Sequence, residues 1–92
     1  MADEDTYLLL YTYVADMADR RGPYREEHLA KIRAARDAGQ NTMAGALGTP
    51  PTGGAMVWTG VTPADIERFT AADPYVINGL VTSQRIERWN LV

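Results

Sequence analysis

The chain has no cysteine, one histidine and one serine among its 92 residues. Without cysteine there is no disulfide, no thiolate nucleophile and no thiolate zinc site, and a lone histidine makes no His-cluster metal site within one chain. Ser83 has no nucleophile-elbow glycines around it, which removes the ordinary serine hydrolase. Gly53-Gly54 is not followed by Lys-Ser or Lys-Thr, so it is no P-loop. Positive charge is also short: 9 basic residues stand against 12 acidic ones, a net charge of −3 with the signs interleaved. Nucleic acid is therefore not expected as a partner. No apolar run approaches the roughly 18 residues of a membrane span. The acidic start Met1-Ala2-Asp3-Glu4-Asp5 lacks the basic head and apolar core of a signal peptide. The expectation is a cytoplasmic protein that binds neither membrane nor nucleic acid and works without metal or other cofactor.

What is present is the composition of a folded chain, 46% hydrophobic and 23% charged, with length for one domain over residues 1–92. Residues 7–14 are branched and aromatic, contain no Gly or Pro, and predict a strand. Its two faces, Leu8-Leu10-Val14 and Tyr7-Leu9-Tyr11-Tyr13, are both apolar. A charged linker from Asp16 to Pro23 precedes a helix over 24–38, stopped by Gly39 and laced by Glu27–Lys31 and Arg33–Asp37 at i,i+4. Its buried stripe is Leu29, Ile32 and Ala35, with His28 at the shoulder. Strands follow over 42–47 and 55–59, joined by the turn formers of 48–54. Thr62-Pro63-Ala64-Asp65 starts a second helix with Ile66 and Phe69 inward. Pro74 breaks that helix at Asp73, which caps a restart running to about Gly79, and a last strand spans 84–92. The order βαββαβ predicts an α+β sandwich, a four-stranded antiparallel sheet with two helices on one face. Because the first strand is apolar on both sides, the other face calls for a second copy, a homodimer through the sheet.

His28 is the one side chain suited to proton transfer near neutral pH, and its place on the stripe aims it at a helix–sheet crevice. A buried histidine satisfied by one hydrogen bond has the same spacing. Asp73 reads as a helix cap, and also as a carboxylate able to orient an imidazole. Arg20-Arg21 and Arg25 are either a solvated cluster or a hold for an anionic substrate. Trp58, Trp89 and the tyrosines read as core or interface, and Gly53-Gly54 as a plain turn in preference to a hairpin that covers a pocket.

Arg25-Glu26-Glu27-His28-Leu29, Met43-Ala44-Gly45-Ala46-Leu47, Asp73-Pro74-Tyr75-Val76 with Gly79-Leu80, and Ile86…Trp89 together resemble the YCII-related (YciI-like) domain family over nearly the whole chain. The resemblance implies a ferredoxin-like βαββαβ fold, dimeric through its sheet like muconolactone isomerases and small dimeric monooxygenases. It implies a pocket in which His28 and Asp73 form a catalytic pair, and it assigns Arg25, Gly45, Tyr75 and Trp89 to substrate binding. The chemistry it suggests is cofactor-free acid–base catalysis of the lyase, dehydrochlorinase or isomerase type on a small cyclic molecule. The alternative is a non-catalytic dimer that binds a small ligand or serves a pathway enzyme. Members often carry Gly-Ser entering the third strand where this chain has Gly54-Ala55, so a ligand-facing hydroxyl is missing.

Overall fold

Two-sided apolar character puts the first strand at the centre of the sheet. The computed structural model describes residues 5–92, and the first four residues of the acidic start lie outside them. Strand β1 (Thr6–Tyr13) pairs antiparallel with both β3 (Gly53–Thr59) and β4 (Val81–Arg88), while β2 (Asn41–Leu47) is the edge strand beside β3. The order β2-β3-β1-β4 is that of a ferredoxin-like α+β fold.

The helices cover the Tyr7-Leu9-Tyr11-Tyr13 side of β1. Leu9 and Tyr11 are buried there with Met56 and Trp58 of β3, against Ile32 and Ala35 of α2 (Gly22–Asp37) and Ile66 of α3 (Pro63–Ala72). Phe69 meets the Trp58 ring edge-on, centroids 4.9 Å apart. Thr62 and Asp65 make the reciprocal capping box at the start of α3. Beyond the break, the short α4 (Pro74–Ile77) packs Tyr75 with Met17 and Leu80. Among the described residues no helix is long and apolar enough to cross a membrane.

Three expectations shift. The stretch expected as linker contains a one-turn helix, α1 (Met17–Arg20), because Met17 is fully buried and pins it to the core. The last strand begins three residues early, at Val81, and stops at Arg88, since its partner Thr6 ends β1 there and Trp89 contributes only a backbone N–H to the Thr6 carbonyl. Gly53-Gly54 is neither a plain turn nor a hairpin cover; both glycines are buried ladder residues of β3 opposite Thr12 and Tyr11. A Cβ at Gly54 would sit 2.6 Å from the Tyr13 hydroxyl oxygen, so glycine is required for that phenol to lie across the strand.

The opposite side of the sheet has no helix on it. Leu8, Leu10, Ala55 and Val57 are half-buried there, flanked by Met43 and Leu47 of β2, which are 68% and 46% exposed.

Candidate active site

Residues 25, 28, 29, 32, 33 and 36 recur at helical spacing along one side of α2, with Arg21 at its N-cap, and that side looks across at Ala44, Gly45 and Ala46 of the edge strand. Between them lies a cleft of about 290 Å³, closed at one end by Tyr13 and Tyr75 and floored by Ile32 and Met56.

His28 opens onto this cleft although only 5% exposed, and behind it Asp73 is completely buried. Pro74 forces Asp73 out of helical geometry, to φ −73° and ψ 122°, which ends α3 and lets the carboxylate turn back over the start of α4. Its Oδ1 accepts the Tyr75 backbone N–H at 3.0 Å and lies 2.9 Å from His28 Nδ1; Oδ2 lies 3.0 Å from the same nitrogen. The Tyr11 hydroxyl donates to Oδ2 at 2.8 Å. Donors from β1, α2 and α4 thus converge on one carboxylate. With Nδ1–H given to Asp73, the imidazole keeps the Nε2 lone pair, which has no hydrogen-bond partner among the described residues. Tyr75 stacks on the imidazole, centroids 3.7 Å apart and planes 11° from parallel, and so fixes the ring's tilt.

Three phenols surround the pair, and all titrate above the ordinary tyrosine value of about 10. Burial is the largest cause for each. For Tyr11 the Asp73 charge and hydrogen bond add to it, so this hydroxyl remains a donor to Asp73 under all ordinary conditions. For Tyr13 the neighbouring Tyr75 and Asp73 push upward and Arg21 pulls back; for Tyr75 the opposing pull comes from Arg21 and Arg25.

Of the residues singled out from the sequence, His28, Asp73, Arg25, Gly45 and Tyr75 meet at or directly behind the cleft. Trp89 does not. It follows β4 at the far edge of the sheet from β2, 44% exposed, and lines no part of the cleft. Sequence reasoning missed Tyr11 and Tyr13 as site residues, and the one signal for them was their alternation on the same side of β1. Among the described residues there is no cluster of three His, Asp or Glu side chains able to hold a metal ion.

No protein-family model and no curated protein sequence matches the chain. Solved structures do resemble it. One is 5-chloro-2-hydroxyhydroquinone dehydrochlorinase of Burkholderia phenoliruptrix in complex with 2,5-dihydroxybenzoquinone, with a TM-score of 0.78 at 17% identity over 92% of this chain and 93% of that one. A Pseudomonas aeruginosa protein gives 0.63 at 13% identity over 100% of this chain and 97% of its own. A NIPSNAP-family protein of Agrobacterium tumefaciens gives 0.62 at 16% identity over 97% and 93%. Likeness at these identities shows a shared architecture, and with the strand order above it establishes the ferredoxin-like α+β fold of this chain.

Proposed function

We propose that the cleft is the active site of a YCII-like small-molecule enzyme in which His28 moves a proton at Nε2 and Asp73 orients it. The carrying observation is the buried Nδ1–carboxylate contact at 2.9 Å on an imidazole that itself opens onto the cleft. The substrate is a small, cyclic, partly apolar molecule, since the floor is apolar and the volume lies at the small end of ligand sites, roughly 300–1,000 Å³.

The reaction is an elimination or an isomerisation. His28 Nε2 takes a proton from a ring carbon next to a carbonyl; the C–H bond breaks, an N–H bond forms, and the electron pair passes into the ring and the carbonyl oxygen. In elimination that pair then forms a C=C bond as chloride or a similar leaving group departs with its own bonding pair. In isomerisation the imidazolium returns the proton at another carbon. Asp73 steadies the imidazolium in both, without becoming protonated. The structural likeness to a dehydrochlorinase supports the elimination, and makes 5-chloro-2-hydroxyhydroquinone, followed by chloride release, the first candidate substrate. From its keto tautomer, protonated at the chlorine-bearing carbon, Nε2 takes the proton of a conjugated ring hydroxyl, the O–H pair becomes a C=O bond, the ring double bond shifts and chloride leaves with its bonding pair.

The test of the pair is ring nitrogen NMR on histidine-labelled protein. With the imidazole neutral, His28 should be found as the Nδ1–H tautomer; an Nε2–H ring would leave no base facing the cleft and would end this reading.

The assembly in this reading is a homodimer through the bare side of the sheet, where Leu8, Leu10 and Val57 give an apolar centre and Met43 and Leu47 extend it. Sedimentation at micromolar concentration should give twice the chain mass and Leu10→Glu a single chain's; a wild-type monomer removes the dimer from the proposal.

A further inference from the structure

The chain as a whole is acidic, but the cleft is not. Arg21, Arg25, Arg33 and Arg36 line it, and among the described residues no Asp or Glu does. The ion pairs formed between side chains of the described residues use Arg20, Arg68, Arg85, Arg88 and His28, and none of the four cleft arginines. The expected Arg33–Asp37 pair is not among them.

That arrangement is unfavourable for the helix alone. Arg21 and Arg25 stand at i,i+4 and Arg33 and Arg36 at i,i+3, spacings at which like charges repel. A helix built only to pack against a sheet gains nothing from rows of unpaired arginines on the side facing the gap. The charges also reach the reacting end: Arg21 and Arg25 both act on the Tyr75 hydroxyl, whose ring lies flat on the imidazole.

We propose that the cleft takes a ring compound bearing a carboxylate, held by the arginine row of α2 while the ring lies over Ile32 and Met56 and its reacting carbon faces His28. Guanidinium forks match a carboxylate in two parallel hydrogen bonds, which ammonium groups do not. The same positive field favours the negative charge that moves onto the substrate's carbonyl oxygen as its proton leaves, so binding and reaction draw on the same four side chains. This inference rests on the cleft being the active site and narrows its substrate class: the hydroquinone named above has no carboxylate and serves to test the reaction, and a ring acid should bind more tightly than it does.

The experiment uses the full chain, labelled with nitrogen-15, and two probes of nearly equal shape: phthalate, and its uncharged diamide. In low salt, phthalate should move the Gly45 and Ala46 amide resonances and bind roughly tenfold or more tightly than the diamide, the scale of a lost charged hydrogen bond. The double variant Arg25→Gln with Arg36→Gln changes two exposed side chains, so its circular dichroism should be unchanged and phthalate should fall to the level of the diamide. Equal affinity for the two probes, no binding of phthalate at millimolar concentration, or a variant that keeps the preference overturns the proposal. None of these outcomes alters the His28 tautomer, so failure of the anion site and failure of the proton-transfer pair are read separately.

Discussion

Replacing Asp73 by alanine should cost about 3–5 kcal/mol of folding free energy, since it strands three buried donors at about 1–3 kcal/mol each. Whole-domain stabilities are only about 5–15 kcal/mol, so the variant should be barely folded at room temperature. The size follows from what one carboxylate does. It accepts from the Tyr11 hydroxyl, the Tyr75 backbone N–H and His28 Nδ1, and it has no solvent exposure, so its removal leaves three donors facing a water-free gap. Asp73→Asn should fall well short of that loss, because the amide oxygen still caps α4 and the new NH₂ can donate to the Tyr11 hydroxyl oxygen, which leaves the His28 Nδ1–H contact as the one weakened. Urea unfolding of the three proteins measures the order; an alanine variant within about 1 kcal/mol of wild type contradicts the convergence of hydrogen bonds described above.

His28→Ala should abolish turnover of the candidate substrate, a loss of at least 10²–10⁴-fold on the scale of general-base catalysis. It also deprives Asp73 of a partner, so lost activity could reflect altered packing. His28→Asn separates the two effects. The asparagine amide nitrogen stands close to where Nδ1 stands and keeps the bond to Asp73, yet nothing occupies the position of Nε2. This variant should match wild type closely in urea and be as inactive as the alanine. An asparagine variant that still forms product excludes Nε2 as the base. If wild type forms none while ligand affinity changes in both variants, the cleft is a binding site without turnover.

Local physics made much of this legible in advance. The capped start at Thr62, the break at Asp73-Pro74 and the two-sided strand depend on neighbouring residues alone, and each is where its pattern put it. His28 and Asp73 were identifiable by chemistry, but their meeting was not, because 45 residues separate them and only the packing of α4 against α2 closes that distance. Tyr11 was hidden by its own surroundings: in a run of Leu and Tyr, nothing local marks the one hydroxyl that will find a carboxylate. The displaced last strand shows the opposite limit. Thr82-Ser83 is polar and falls outside the strand expected from residue 84, yet β1 supplies a ladder for it, and pairing outweighs composition.

The central place of β1 also shapes how the chain must come together. A strand made first, with oily residues on both sides, has both its neighbours encoded far downstream: Thr12 waits for Gly53 and Tyr13 for Val81. During synthesis β1 has no ladder until the second half of the chain emerges, and it is then joined from both sides. In that interval its unpaired backbone and uncovered leucines are the segment most exposed to chance association with another nascent chain. The architecture that seats Tyr11 behind the carboxylate therefore makes folding slow to commit, and ties it to the arrival of the C-terminal strand.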